Sequence, residues 1–361
     1  MKYKQLRLGD LAEFTTGKLN ANKAVEDGKY PFFTTSPETL RINNFAFDQD
    51  AILLGGNNAN GVFQLKRYTG KFNAYQRTYV ISVVKENIIN NDYLYYALMP
   101  KLVELQNKSL GTATKFITKK ILENLLIKVP NNYNEMERRA TYLRTIDNKI
   151  QLNKQLNANL LELISLIQNE YSRTISNKVS LKSLAQKIIT GKTPSTKIQE
   201  NYGYDIPFVK IPDMHDKVFI DKTGQSLSLQ GANSQKNKYL PANAIMVSCI
   251  GTPGLVSLTG SVSQTNQQIN SLILEDKFIY WSFLELRSLR SQIGNLGSGG
   301  TTINNLNKSD FSKLEIIIPD NDEVLDNFNH IAQPIFERIH TNNIEIRKLT
   351  QLKEALLNKL F

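Results

Sequence analysis

The segment Thr190-Gly191-Lys192-Thr193 contains the residue types that bind phosphate in nucleotide-binding loops. A loop of that kind needs another glycine five residues before Gly191, but Gln186 occupies this position. The surrounding residues predict a helix that ends in a turn, whereas a phosphate-binding loop follows a strand. The pattern therefore argues against a nucleotide site.

Acidic and histidine residues also fail to form a catalytic or metal-binding pattern. Glu275-Asp276-Lys277 resembles half of a nuclease carboxylate–lysine set, but the nearest upstream Pro-Asp pair, Pro212-Asp213, is distant in sequence. The three histidines, His215, His330 and His340, lack the spacing of metal ligands. With no dinucleotide fingerprint and no Asn-Pro-Pro-Tyr-type methylase tetrad, the sequence predicts a protein that is not a catalyst.

Composition places the chain among ordinary globular proteins. Its 361 residues allow about two to three domains. No apolar run approaches the roughly 18 to 20 residues that span a membrane, and the first residues do not resemble a signal peptide. The single cysteine, Cys249, rules out a disulfide within the chain. A cytoplasmic location is therefore expected.

The net charge of +11 is unevenly distributed along the chain. Residues 1–130 carry a net charge of +7 and residues 179–319 carry +4, while residues 131–178 and 320–361 sum to zero. A concentration of positive charge on two segments is typical of proteins that bind phosphate backbones, although many soluble proteins are mildly basic without such a role.

The sequence contains an internal duplication, and the two copies share residues at corresponding positions. The matching pairs of segments are Leu8–Lys18 with Leu181–Lys192, Pro31-Phe32 with Pro207-Phe208, Ala51-Ile52 with Ala244-Ile245, and Val129-Pro130 with Ile318-Pro319. The period is too long for a solenoid repeat. It predicts a duplicated module, each copy a mixed α/β domain followed by a helix.

Each copy ends in a segment with apolar residues spaced alternately four and three apart, which predicts a coiled-coil seam. The predicted seam comprises Ile146, Ile150, Asn153, Leu160 and Ile164 in the first helix and Ile335, Ile339, Asn342, Ile346 and Leu349 in the second. Since domain termini often lie close together, the helices are expected to run antiparallel. Asn153 and Asn342 occupy matching positions near the helix midpoints and are expected to meet, or to lie within one turn.

Five segments, taken in their order along the chain, resemble a known protein family. The order of Leu181–Ala185, Thr190–Ser195, Ile206–Val209, Asn266–Asn270 and Ile344–Phe361 resembles the specificity subunits of type I restriction–modification systems. The resemblance covers nearly the whole chain. It implies target-recognition domain 1 at residues 1–130, a central helix at 131–178, target-recognition domain 2 at 179–319 and a C-terminal helix at 320–361. The expected fold class is α+β, with two recognition domains joined by antiparallel helices in a pseudo-two-fold repeat.

The resemblance also implies a function and partners. Similar subunits are non-catalytic readers of double-stranded DNA, in which each recognition domain reads one half of a bipartite site and the helices fix the spacer. They recruit two methylase subunits and, through these, motor–nuclease subunits. S-adenosylmethionine, ATP and magnesium would then belong to the partners, and this chain would hold no cofactor or metal.

Base reading should use polar side chains on loops that enter the DNA grooves. The candidates are Lys18, Asn57, Asn58, Lys66, Arg67, Arg77 and Lys115 in the first domain, and Lys192, Thr193, Ser195, Lys197, Lys236, Lys238, Thr301 and Thr302 in the second. Beside the seam, a second apolar stripe on the first helix comprises Leu152, Leu156, Leu163 and Leu166, and a partner or a broader packed face would cover it.

Two alternatives stay open on the residues alone. A duplicated DNA-binding regulator or architectural protein acting by itself would bind DNA tightly without a methylase. A fused methylase or nuclease would bind its own cofactor.

Overall fold

The computed structural model describes residues 3–58, 62–108, 115–173, 175–296 and 306–361. The chain divides into two compact units, one formed by Met1–Gln151 with Arg347–Phe361 and the other by Leu152–Ile346. Both dividing points lie inside long helices, so each unit contains one sheet-containing region and part of both helices.

Among its described residues, the first unit builds its sheets from ten strands, with short helices between them. Its elements are β1 Tyr3–Arg7, α1 Leu8–Leu11, β2 Ala12–Thr16, β3 Tyr30–Phe33, β4 Leu40–Ile42, β5 Phe47–Gly55, β6 Asn57–Asn58, β7 Leu65–Ala74, β8 Thr78–Val83, α2 Asn91–Lys108, β9 Lys115–Phe116, α3 Lys119–Glu123, β10 Leu126–Pro130 and the first part of α4 Tyr133–Ser172. The main sheet has the order β2-β8-β5-β7-β3-β4. One of its cores contains Ile52, Ile81 and Leu94, all fully buried.

The second unit repeats this plan. Its elements are β11 Lys178–Ser180, α5 Leu181–Leu184, β12 Lys187–Thr190, β13 Tyr202–Gly203, β14 Ile206–Val209, α6 Ile211–Met214, β15 Phe219–Ile220, β16 Ser226–Leu227, α7 Leu229–Asn233, β17 Ile245–Ser248, β18 Val256–Thr259, β19 Gln264–Thr265, β20 Ile269–Ile273, α8 Asp276–Ser288, α9 Arg290–Leu296, α10 Lys308–Lys313, β21 Glu315–Ile317 and α11 Asp322–Leu360, which continues into the first unit. Its two larger sheets have the orders β12-β20-β17-β18-β15 and β13-β16-β14-β19.

The strand order demonstrates the duplication. In the first unit β5 lies between β8 and β7 and pairs antiparallel with both. In the second unit β17 lies between β20 and β18 with the same polarity. Each unit also has a separate two-stranded sheet that pairs its first and last strands, β1 with β10 and β11 with β21. The predicted duplicated α/β module is therefore confirmed.

The two long helices run antiparallel within each unit, as the sequence predicted. In the first unit, Lys353 Nζ lies 2.6 Å from Asp147 Oδ1. In the second, Asn153 Nδ2 donates to Glu345 Oε2 at 2.8 Å. Residues farther along α4 therefore face residues nearer the start of α11. All predicted seam side chains are at least half-buried; Ile146, Asn153, Ile164, Ile339 and Asn342 are the fully buried ones.

The two seam asparagines do not bond to each other, but the partner of Asn342 lies about one helical turn from Asn153, which agrees with the wider of the two expectations. Asn342 Nδ2 donates to Asn157 Oδ1 at 2.7 Å, while Asn153 donates to Glu345. Asn157 lies about one helical turn beyond Asn153. Both Asn153 and Asn342 are buried, at 3% and 1% exposure, so each needs a polar partner across the seam. The register of α4 against α11 therefore places Asn157 opposite Asn342 and Glu345 opposite Asn153, each about one turn from the position that a direct pairing of the two seam asparagines would require.

Candidate nucleic-acid interface

In the second unit, the segment after β12 is pressed against the segment after β19. A Cβ atom added to Gly191 would lie 2.1 Å from Asn266 O and 2.3 Å from Thr265 O, so only glycine fits. The backbone of the following Lys192 is held on both sides: its N–H donates to Thr265 O at 2.9 Å, and its carbonyl oxygen accepts from Gln235 Nε2 at 2.8 Å. The Lys192 side chain is exposed on this fixed backbone.

The first unit repeats the same close approach. A Cβ atom on Gly17 would lie 1.7 Å from Ala74 O and 2.8 Å from the carbonyl carbon of Tyr75. Lys18 follows and is exposed. The two Gly-Lys dipeptides therefore have the same local structure in both units. The glycine permits close backbone contact, and the lysine that follows is exposed to solvent.

The strand Lys187–Thr190 leads into this segment, so the predicted helix ending here was wrong. Its β-branched and apolar residues pair antiparallel with β20. A short helix does occur earlier, at Leu181–Leu184, capped by the Ser180 hydroxyl that accepts from Ser183 N.

Three predicted DNA-binding side chains have internal roles. Lys66 Nζ donates to Glu38 O at 2.8 Å, to Thr39 Oγ1 at 3.1 Å and to Ser36 O at 3.2 Å, and therefore holds the segment between β3 and β4. Burial lowers the pKa of Lys66, against the opposing effect of Glu38. Lys66 is a structural residue in this position rather than a free surface cation.

Arg67 is likewise occupied by carboxylates. Its guanidinium forms salt bridges with Asp50, at 2.8 Å, and with Asp92. Asp92 also forms a salt bridge with Arg144 of α4. Burial opposes its charge, but these carboxylates outweigh burial and raise the pKa of Arg67. The sequence could not show that Asp50 and Asp92 lie beside Arg67. Binding of Arg67 to DNA stays a prediction.

Lys238 is the third. The residue is half-buried, and its Nζ donates to Thr190 O at 2.9 Å, at the end of β12. It therefore positions the Gly-Lys segment.

The other candidates differ in what the structure shows of them. Lys18, Arg77, Lys192, Ser195, Lys197 and Lys236 are exposed, and Asn57 and Thr193 are half-buried. The Thr193 hydroxyl donates to Gln267 Oε1 at 2.6 Å, which links the Gly-Lys segment to the Asn266–Asn270 segment. The backbone positions of Asn58 and Lys115 pair in the ladder between β6 and β9. Thr301 and Thr302 lie outside the described residues, as do the side chains of Asn58 and Lys115.

Two lysines that the sequence did not single out lie in this region. Lys187 begins β12 and Lys308 begins α10, and the charges of both act on Lys238. They are more than one hundred residues apart in the chain, so no local spacing could have joined them. Burial lowers the pKa of Lys238, and the tertiary structure brings both charges close enough to Lys238 to add to that effect.

Of the three histidines considered as metal ligands, His340 is bonded within the fold, whereas His215 and His330 are exposed. His340 Nε2 lies 2.7 Å from Asp221 Oδ1, and its ring stacks on Phe219. Burial raises the pKa of the Cys249 thiol to about 11, so it is protonated at neutral pH. Across the described ranges, no group of three or more His, Cys, Asp or Glu side chains is placed to hold a metal ion. None of the helices described there has the length and apolarity required to cross a membrane.

The stripe beside the helix seam is exposed. The exposed fractions are 62% for Leu152, 37% for Leu156, 48% for Leu163 and 60% for Leu166. The alternative of a broader packed face against α11 is therefore wrong for these four residues. In the repeat, Leu163 corresponds to Leu352 of α11, which is 49% exposed.

Comparison with solved structures identifies the fold. A solved S subunit of a type I restriction–modification system from M. genitalium superposes with a TM-score of 0.65 at 16% identity, covering 100% of this chain and 96% of that one. This likeness establishes the shared fold.

The sequence then gives the family. The model of the type I restriction modification DNA specificity domain matches residues 1–162 and 176–357, and the chain belongs to this family. It is 49% identical over 185 residues to the type I restriction enzyme HindI specificity subunit of Haemophilus influenzae, and 41% identical over 129 residues to the EcoDI specificity subunit of Escherichia coli. These alignments cover 50% and 36% of this chain, and 40% and 28% of those relatives.

Proposed function

We propose that this chain is the DNA-recognition subunit of a type I restriction–modification complex. The duplication carries the proposal, because the four-strand order β2-β8-β5-β7 of the first unit recurs as β12-β20-β17-β18 in the second, and the family match includes both units. Two copies of one basic domain suit a bipartite DNA site, with one half-site for each copy. The subunit reads DNA, and its partners supply the chemistry.

The partners would be two methylase subunits, which in turn recruit motor–nuclease subunits. S-adenosylmethionine, ATP and magnesium would be bound by those partners, and the complex would act in the cytoplasm on double-stranded DNA. A methylase subunit would dock on the exposed stripe of Leu152, Leu156, Leu163 and Leu166, because apolar surface of this kind is usually covered by a partner. The matching exposure of Leu163 and Leu352 favours two such partners, one for each repeat.

The docking surface is tested by charge. Leu156→Asp with Leu163→Asp should abolish co-purification of the methylase encoded beside this chain, since two carboxylates would be desolvated in the interface. The control is Gln155→Asp with Asn159→Asp, which adds the same charge at exposed positions of the same helix. If the leucine variant folds and still binds methylase as well as the control, the stripe is not the docking surface.

The function itself is tested by exchanging a domain. The chain is co-expressed with its methylase, and the methylated motif is mapped by sequencing. Replacing residues 1–130 with the first domain of another family member should change one half of the motif and leave the other half intact. If both halves change, or if this gene does not affect methylation, the proposal is wrong. Tight, sequence-specific binding by the isolated chain without any methylation would support the regulator instead.

A further inference from the structure

The helix α2 of the first domain contacts α4 through two polar pairs. Arg144 Nη1 donates to Asp92 Oδ2 at 2.5 Å, and the Tyr96 hydroxyl donates to Asp147 Oδ2 at 2.9 Å. Asp92 and Tyr96 are four residues apart on α2, and Arg144 and Asp147 are three residues apart on α4, so each pair of neighbours lies on one helix face. Two contacts about one turn apart fix both the crossing angle of the two helices and their position along each other.

These contacts continue into the second long helix and into the main sheet. Lys353 Nζ of α11 lies 2.6 Å from Asp147 Oδ1 and 5.7 Å from the centroid of the Tyr96 ring. On the other side, Arg67 of β7 forms a salt bridge with Asp92. We call this group of side chains the polar anchor, and it comprises Asp92, Tyr96, Arg144, Asp147 and Lys353. It joins the first domain to both long helices within the first unit.

Most of the polar anchor is shielded from solvent. Tyr96 is 2% exposed, and burial raises the pKa of its hydroxyl, which therefore keeps the proton that it donates to Asp147. The side chains of Asp92 and Lys353 are 13% and 19% exposed. Charges in such places are screened by salt much less than charges on the open surface. The anchor is therefore maintained at physiological ionic strength.

The second unit attaches its domain to the helices by different chemistry. In the repeat, Asp147 of α4 corresponds to Phe336 of α11, which is fully buried. The Phe336 ring contacts Tyr280 and Phe283 of α8, with centroid distances of 4.4 and 5.4 Å. The helix α8 follows β20 as α2 follows β8, so the two helices occupy matching places. Aromatic packing in the second unit thus replaces the hydrogen bonds and ion pairs of the first.

The difference in chemistry has a consequence for orientation. Apolar packing is non-directional, whereas hydrogen bonds require a narrow range of distances and angles. Adding one base pair to a DNA spacer moves the two half-sites apart by about 3.4 Å and rotates one against the other by about 35°. A recognition domain that distinguishes such spacers must be held in one orientation on the helices. In the first unit, the polar anchor supplies directional bonds for this purpose.

We propose that the contacts of α2 with Arg144 and Asp147 orient the first domain on the helices, and that they set how strictly the subunit selects the length of the DNA spacer. This inference rests on the proposed function. The anchor side chains are positioning residues, since they act through the domain that they hold. Helix length sets the distance between the ends of the helices, and the anchor sets the rotation of the domain at one end.

The test compares two double variants of the full-length chain, each co-expressed with the methylase encoded beside it. The anchor variant is Arg144→Ala with Asp147→Ala. The control is Lys277→Ala with Asp322→Ala, which removes a salt bridge of 2.9 Å between α8 and α11. Each variant loses one cation and one anion at a contact between a domain and a helix. Only the control retains aromatic packing at the corresponding contact.

Two properties are measured. Methylation is scored on plasmids that carry the recognised motif with its own spacer, and with spacers one base pair shorter or longer. Amide hydrogen exchange, followed by mass spectrometry on the isolated chain, reports the local opening of α2 and α8. Thermal melting verifies that each variant is folded.

The anchor variant should discriminate less between spacers. The ratio of methylation at the native spacer to that at the altered spacers should fall by about 2- to 30-fold, the range expected for the loss of two partly exposed polar contacts. The bases of the motif should stay the same, and amides of α2 should exchange faster while those of α8 are unchanged. The control should keep the ratio of the unsubstituted chain.

Single changes at Arg144 keep the inference testable if the double variant does not fold. The Arg144 side chain is 48% exposed, so its replacement disturbs little packing. Arg144→Gln should reduce spacer discrimination, whereas Arg144→Lys, which keeps the charge opposite Asp92, should retain most of it. Equal discrimination by these two variants and the unsubstituted chain would overturn the inference.

The remaining outcomes separate this inference from the proposed function. If the unsubstituted chain directs no methylation, the proposed function is wrong and the spacer role is lost with it. If it directs methylation while the anchor and control variants discriminate equally between spacers, the anchor does not set spacer selection but DNA recognition stands. A uniform loss of methylation at all spacers would assign the anchor to stability alone, and would also overturn the inference.

Discussion

Replacing Gly191 with alanine should disturb the second unit by a predictable amount. The new Cβ would lie 2.1 Å from Asn266 O and 2.3 Å from both Thr265 O and Thr265 Oγ1. Two of these three atoms are backbone oxygens, so the chain itself must move. Overpacking of this kind costs about 1–3 kcal/mol. For a unit of this size, each kcal/mol lowers the melting temperature by about 2–4 °C.

The same substitution should weaken DNA binding, because Lys192 N–H donates to Thr265 O and moves with it. Gly294→Ala is the matched control. Gly294 lies in α9, and among the described residues, its own helix backbone apart, no atom lies within 4 Å of the place that a Cβ would take. Replacing a helical glycine with alanine should stabilise by about 0.5–1 kcal/mol. The reasoning is refuted if thermal melting gives Gly191→Ala the stability of the unsubstituted chain, or if both variants shift in the same direction.

Three further changes are predicted. Asn342→Leu should lower the free energy of unfolding by about 1–3 kcal/mol, because it removes the donor that bonds Asn157 Oδ1. In a double-mutant cycle, adding Asn157→Leu should recover part of this loss. Strictly additive losses would contradict the pairing of the two asparagines. Phe361→Ala should lower the free energy of unfolding by about 1–3 kcal/mol, less than the ~3–5 kcal/mol typical of a fully buried ring, because Phe361 is half-buried. The centroid of its ring lies 4.8 Å from that of Tyr93. An unchanged melting temperature would refute this prediction. Burial raises the pKa of Glu285, although a backbone N–H opposes this, so ionisation of Glu285 destabilises the fold as pH rises from the ordinary glutamate pKa through the raised value. Glu285→Gln should therefore stabilise the protein at neutral pH, and this gain should vanish in acid. A gain in stability that does not depend on pH would contradict the prediction.

Sequence pattern predicted the long helices because their apolar spacing extends over many turns. It could not foresee how α11 tolerates Pro334, a residue that normally interrupts a helix. On either side of this proline, Ala332 and Phe336 are fully buried in the core of the second unit. Their packing offsets the local cost, which propensity alone does not include.

The candidate site was predicted less completely than the fold. Lys18 and Lys192 were found because the Gly-Lys dipeptide recurs at matching places in the repeat. Lys66 and Arg67 were selected by charge and loop position, but whether a cation faces solvent depends on neighbours that folding brings from elsewhere. Here those neighbours are backbone oxygens for Lys66 and carboxylates for Arg67.

The sequence by itself determined the duplication, the antiparallel helices and the concentration of positive charge on the two domains. These properties are periodic or additive along the chain, so they are visible without coordinates. Tertiary structure alone decided that Asn342 pairs with Asn157 and that Arg67 pairs with Asp50 and Asp92. Helix register and strand pairing determine which distant side chains meet. A hydrogen bond or an ion pair depends on separations of a few ångströms, which local sequence does not encode.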